Sequence, residues 1–355
     1  CELFAMSSRV PATLGFSLER LARRGGADGP HRDGWGLAFY EGPDCLLLRE
    51  PRSASDSPLM HFMEQQGLRT RMAVSHIRLA TFGNRALRNT QPFGRELGGR
   101  MHVFAHNGDF PSLLDCPWPI EPRFRPVGDS DSELAFCGLL SRLAPVWDAV
   151  ERGRVPSLKW RMQLIAAHAR ELRELGPANF IYSDSDALFV HADRRSQRDG
   201  QIRPPGLYLL QRCCWRSAPE LADAGVSLST VRQDVALVAS VPLTDELWQP
   251  LGEGNLIALA NGVCFGADGS EAPPEKLATD THGLQSAAHV PAGCGSVLRS
   301  ARFGRQPLNL AVQLVYSPSG GGEFEPLNVL AERVHALSER AVGADGLRQL
   351  GHCRQ

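Results

Sequence analysis

The order of extended and helical stretches is what most limits the fold of this 355-residue chain. Apolar runs bounded by turn residues come first: Cys1–Ser8, Gly34–Tyr40, Cys45–Arg49, Met72–Arg78 and Met101–His106 read as strands. Among them, Phe16–Arg24 has helical apolar spacing and stops at Gly25-Gly26, and Pro58–Leu68 reads as a second helix. Two longer helices follow. Ser130–Leu143 places Phe136, Leu139, Leu140 and Leu143 on one face, and Trp160–Leu175 carries Met162, Ile165, Ala169 and Leu172 before Gly176-Pro177. From Asn179 to Ala260 the pattern returns to strands, in NFIYSD, ALFVHA, GLYLLQR, VALVASVPL and NLIALA. Strands before and after two amphipathic helices predict sheets covered by helices, an α+β layered domain.

Composition excludes several classes of protein. Apolar residues are 43% and charged residues 22%, so the chain can build a core and is not a disordered segment. The formal net charge is −1, which excludes binding of nucleic acid through bulk positive charge. No uninterrupted apolar run is long enough for a membrane-spanning helix, so no membrane partner is expected. The nine cysteines are odd in number and form no CxxC pair, which argues against a disulfide framework or a zinc knuckle and predicts a reducing cytosol. No secretory pattern opens the sequence, and a cytoplasmic location is expected. The histidines show no HExxH spacing and no glycine-rich dinucleotide fingerprint joins a strand to a helix, so neither a metal nor a cofactor is expected.

The chemistry concentrates elsewhere. Cys1 carries a thiol and an α-amine on one residue, and an α-amine titrates near pH 8 in water, so it can act as base toward the thiol. Four polar segments fall at predicted strand exits or helix starts: His76-Ile-Arg78-Leu-Ala-Thr81, Asn89-Thr-Gln91-Pro-Phe93, His106-Asn107-Gly108-Asp109, and Gly128-Asp-Ser130-Asp131-Ser-Glu133. Each has an ordinary structural explanation alone. Asn107-Gly108 is a tight-turn dipeptide, Ser130 to Glu133 has capping-box spacing, Asp131 suits a helix start, Arg78 suits a solvated ion pair, and His76 and His106 suit satisfied core histidines. Their joint occurrence with Cys1 changes the balance.

That joint pattern resembles the class II glutamine amidotransferases, which are N-terminal nucleophile hydrolases, and among them the YafJ-type branch. The matching pieces are CELF at the start, Gly29-Pro-His-Arg-Asp-Gly-Trp-Gly36, His76-x-Arg78, NTQPF, AHNG, Pro126–Glu133 and Pro242-Leu-Thr, in order from Cys1 to Val263. The resemblance implies a four-layer αββα sandwich of two stacked, mostly antiparallel sheets. It implies catalytic roles for Cys1 as nucleophile and for Asn107 and Gly108 as oxyanion donors. Substrate-binding roles fall to Arg78 for an α-carboxylate, Asp131 for an α-ammonium, and Thr81. Gln91 receives no catalytic role.

The implied substrate is glutamine, whose side-chain amide would be hydrolysed to glutamate and ammonia through a thioester on Cys1, with a separate synthase as ammonia acceptor. A γ-glutamyl peptide or conjugate hydrolase using the same site is the alternative, because Arg78 and Asp131 recognise only the α-amino acid end. A non-catalytic binding subunit is the third reading. Residues 1–263 are expected to form the amidotransferase domain, and 264–355 a C-terminal extension. That extension contains a linker-like run at Ala267–Lys276, a strand pattern at Leu308–Tyr316 and a weak helical pattern from Leu327 to Leu337.

Overall fold

The computed structural model describes residues 1–272 apart from 82, 116–117, 119, 198, 215–232 and 267–268. Its strands are β1 (Glu2–Thr13), β2 (Gly34–Glu41), β3 (Asp44–Glu50), β4 (Arg69–Arg78), β5 (Phe93–Leu97), β6 (Arg100–Asn107), β7 (Asn179–Ser183), β8 (Leu188–His191), β9 (Arg195–Ser196), β10 (Ile202–Arg203), β11 (Tyr208–Cys214), β12 (Gln233–Ala239), β13 (Gln249–Pro250), β14 (Leu256–Ala260) and β15 (Val263–Phe265). Its helices are α1 (Gly15–Arg24), α2 (Pro58–Gln66), α3 (Pro111–Asp115), α4 (Asp131–Asp148) and α5 (Leu158–Leu175). A seven-stranded sheet has the order β13-β11-β12-β1-β4-β2-β3, and a six-stranded sheet the order β15-β14-β8-β7-β6-β5; every pairing within them is antiparallel. The predicted αββα sandwich is the fold observed.

Strand periodicity sorts the core into three layers. On β1, Leu3 and Ala5 face the second sheet, where they join Val103, Ala105, Ile181, Val190 and Ile257. The intervening Phe4 and Met6 face the other way and pack with Leu21 of α1 and Met60 and Met63 of α2. On β6, Val103 and Ala105 point between the sheets while Phe104 packs under α4 and α5 with Phe136, Leu140 and Ile165. Side chains alternate across a strand, so a central strand covered on both faces becomes apolar throughout. Each fully buried Leu or Phe contributes about 1.5–3 kcal/mol.

Several details differ from the sequence expectations. β1 runs on to Thr13 instead of ending at Ser8, with a register shift between Ser7 and Ala12 that accommodates Pro11. α4 continues past Pro145 to Asp148, because Leu143, Ala144 and Trp147 are buried in the same cluster and hold the last turn in place. Within the linker-like run, Glu271 bridges to Phe265, and the Ala272 N–H donates to the Cys264 carbonyl at 2.9 Å. β15 spans residue 263 and buries Cys264. The patterns at Leu308–Tyr316 and Leu327–Leu337 lie outside the described residues. Among the described residues no helix is long and apolar enough to cross a membrane.

Candidate active site

β1 sits in the middle of its sheet, between β12 and β4, and this puts Cys1 at the end of a fully paired central strand. The Leu3 backbone is locked to the end of β12, where its N–H donates to Ser240 Oγ at 2.9 Å and its carbonyl accepts from the Ser240 N–H at 3.0 Å. Cys1 itself is half-buried, with a free thiol. The Leu79 N–H, one residue beyond β4, donates to Cys1 Sγ at 3.4 Å. The thiol in turn donates to the Leu79 carbonyl, also at 3.4 Å. Burial pushes the Cys1 α-ammonium down from 8.0 to about 6, helped by the positive charge of Arg195 and opposed by Glu2, Asp109 and Asp33. At neutral pH the amine is therefore mostly unprotonated and ready to accept a proton.

β6 delivers the next group from the second sheet. Asn107 ends that strand, nearly buried, and its Nδ2 donates to the Cys1 carbonyl at 2.6 Å and lies 3.4 Å from Ser240 Oγ. Gly108 follows with φ +155, and a Cβ there would lie 1.8 Å from the Pro177 carbonyl oxygen. Only glycine fits so close a backbone approach. Behind the turn, His106 is fixed on three sides. Its N–H donates to Gln91 Oε1 at 2.6 Å, and its ring nitrogens reach Ser132 Oγ at 2.9 Å and the Pro177 carbonyl at 3.1 Å. Burial holds His106 and the neighbouring His76 below the usual histidine range. Both are neutral packing groups at pH 7. Gln91, given no role from the sequence, anchors the strand that ends in Asn107.

The residues expected to bind substrate stand on other elements. Arg78 ends β4, buried, and donates to the Asn84 carbonyl from Nη1 and to the Gly83 carbonyl from Nη2, each at 3.1 Å. Burial lowers its pKa, and the negative charges of Asp33 and Asp131 oppose that shift. Asp131 opens α4; its Oδ2 accepts the Phe110 N–H at 2.6 Å and its Oδ1 the Ser132 N–H at 2.7 Å. Ser130 caps that helix by accepting the Glu133 N–H at 3.2 Å. The Glu133 carboxylate does not complete a reciprocal capping box; it takes the Gly128 N–H at 2.7 Å and pairs with Arg95. Thr81 is exposed and its hydroxyl donates to the Asp109 carboxylate, so Asp109 bridges two loops as well as following the turn. The six residues singled out from the sequence thus surround one region at one end of the sandwich. Leu79 and Asp33, which lie inside the sequence motifs but received no role, and Ser240 join them through hydrogen bonds or charge. Among the described residues no group of three or more His, Cys, Asp or Glu could hold a metal ion.

Comparison with known proteins identifies the family. The family of class II glutamine amidotransferases matches residues 1–282, and the chain belongs to it. Within the family it is 35% identical over 267 residues to the Escherichia coli protein YafJ, covering 74% of this chain and 99% of that one, which places it in the YafJ-type branch. A Haemophilus influenzae relative is 29% identical over 267 residues and 85% of its length is covered. The crystal structure of a predicted glutamine amidotransferase from Pseudomonas aeruginosa superposes with a TM-score of 0.51 at 31% identity, covering 74% of this chain and 99% of that one. The shared fold is that of N-terminal nucleophile hydrolases.

Proposed function

We propose that the protein hydrolyses the side-chain amide of glutamine, with Cys1 as nucleophile and its own α-amine as base. The observation that carries this reading is the 2.6 Å bond from Asn107 Nδ2 to the Cys1 carbonyl, which brings a potential oxyanion donor from one sheet to the nucleophile of the other. The neutral amine takes the thiol proton, and the thiolate attacks the amide carbon. Negative charge on the amide oxygen is met by Asn107 Nδ2 and the Gly108 N–H. The ammonium returns its proton to the departing nitrogen, ammonia leaves, and a thioester remains on Cys1. Water, deprotonated by the same amine, releases glutamate. Arg78 holds the α-carboxylate through a charge-assisted pair, Asp131 holds the α-ammonium, and Thr81 borders them. Ammonia is released or passed to a separate acceptor synthase.

A second reading keeps this chemistry and replaces ammonia with a larger leaving amine, as in a γ-glutamyl peptide or conjugate. Arg78 and Asp131 address only the α-amino acid end of such a substrate, which leaves the nature of the leaving amine open. A panel of glutamine, glutathione and other γ-glutamyl compounds separates the two by kcat/KM. Cys1→Ala should lower turnover of the preferred substrate by about 10⁴-fold or more. Undiminished turnover in that variant would remove the mechanism. Both readings require Cys1 to be the mature N-terminus, which mass spectrometry of the purified protein reads directly.

A further inference from the structure

The segment that backs the Asn107–Gly108 turn is built around one buried carboxamide. Asn179 opens β7, is fully buried, and faces Asn107 in the β6–β7 register. All of its polar atoms are committed. Oδ1 accepts the Asp193 N–H at 2.7 Å, and Nδ2 donates to the Asn107 carbonyl at 3.2 Å and to the Arg194 carbonyl at 2.7 Å. Its position is enforced by packing, since a Cβ at Gly206 would lie 1.6 Å from Asn179 Oδ1. Upstream, the Ala178 N–H donates to the Asp193 carboxylate at 3.0 Å, which is itself paired with Arg173. The Pro177 carbonyl touches both the His106 ring and the space beside Gly108.

The consequence follows from peptide geometry. The Asn107 carbonyl and the Gly108 N–H belong to one planar trans peptide and point in opposite directions. A donor that grips that carbonyl therefore sets the direction of that N–H. Resting on the function proposed above, we propose that Asn179 is a positioning residue of the reaction, which orients the Asn107–Gly108 peptide so that the Gly108 N–H and the Asn107 carboxamide face the charge that develops on the substrate oxygen. Asn179 contacts neither Cys1 nor Arg78 nor Asp131 in any hydrogen bond. Its effect belongs to the transition state, where the oxyanion exists, and not to ground-state binding.

Asn179→Ala removes both donated bonds, and Asn179→Ser keeps one hydroxyl donor. Both variants are assayed on the wild type's preferred γ-glutamyl substrate, and in parallel the rate of Cys1 alkylation by iodoacetamide is read by mass spectrometry. Alkylation needs the thiolate and its base but forms no oxyanion. The expected result is a fall in kcat of about tenfold or more, larger for Ala than for Ser, with KM within about twofold of wild type and the alkylation rate unchanged. An unchanged kcat, a change confined to KM, or a loss of alkylation in step with kcat would overturn the proposal, and so would loss of the wild-type circular dichroism spectrum and cooperative thermal transition in both variants, which would make Asn179 a residue of folding and not of positioning. Wild type that alkylates at Cys1 yet turns over no γ-glutamyl compound would instead refute the proposed function.

Discussion

The two ends of the site are built by different means. At the proposed oxyanion end, Asn107 closes an interior strand, its carbonyl is held by Asn179, and Gly108 lies against the Pro177 backbone. At the substrate-recognition end, Arg78 leaves β4 into an irregular segment and is held by the carbonyls of Gly83 and Asn84, while exposed Thr81 reaches Asp109 through one hydroxyl. The first end is fixed by strand pairing and buried amides; at the second, Arg78 and Asp131 are buried on β4 and α4, but the segment beyond Arg78 is held by side-chain contacts to Arg78 and Asp109. The contrast matches what each end must do. Donors that meet developing charge are effective only when already aligned, because reorganisation during the reaction would add to the barrier. Groups that hold the unreacting end of a substrate can settle around it on binding.

Two substitutions test that division. Asn107→Ala removes one oxyanion donor from a pre-set site and should lower kcat by about 10²–10³-fold while KM stays nearly constant. Arg78→Gln should act the other way. Loss of a charge-assisted bond to the α-carboxylate removes about 1.5–3 kcal/mol of binding, so KM for glutamine should rise by about 10–100-fold with a smaller change in kcat. Steady-state kinetics on both variants reads the split. If Arg78→Gln cut kcat as deeply as Asn107→Ala, the two ends would form one cooperative unit and the contrast would be lost.

The same contrast explains what could be read from the chain alone. The candidate residues Cys1, Arg78, Thr81, Asn107, Gly108 and Asp131 stand at the chain start, at strand exits or at a helix start in short motifs, so they could be proposed before any coordinates. The layered fold was legible because α4 and α5 show helical apolar spacing between two blocks of strands. Asn179 was not recognisable. It opens the run NFIYSD as an ordinary polar residue, and its role arises only because β7 lies beside β6, a pairing that spans seventy-two residues of chain. Leu79 and Ser240 escaped for a related reason, since Leu79 acts through its backbone N–H and Ser240 through hydrogen bonds of its hydroxyl and N–H to the distant Leu3 backbone. β5 was missed because FGREL is short and carries two charges, and it is held by β6 more than by its own composition.

The smallest expected effect concerns Asp109, the residue that links the two ends. Its carboxylate follows the oxyanion turn, accepts the Thr81 hydroxyl and raises the pKa of the Cys1 amine. Only the unprotonated amine can take the thiol proton. With that pKa at about 6, kcat/KM of the wild type should be level near pH 7–8 and fall about tenfold per unit below pH 6. Asp109→Asn removes a negative charge that stabilises the ammonium, so the amine pKa should drop further. The acidic limb then moves to lower pH by a fraction of a unit, and the variant keeps relatively more of its activity at pH 5.5. Loss of the strong acceptor for Thr81 should also loosen the recognition loop and raise KM by a few-fold at pH 7.5. Thr81→Ala should reproduce that rise in KM and leave the acidic limb in place, because it removes the bond without removing the charge. A limb that moved to higher pH in Asp109→Asn, or that moved equally in both variants, would mean that the carboxylate acts on the amine through loop position and not through its charge.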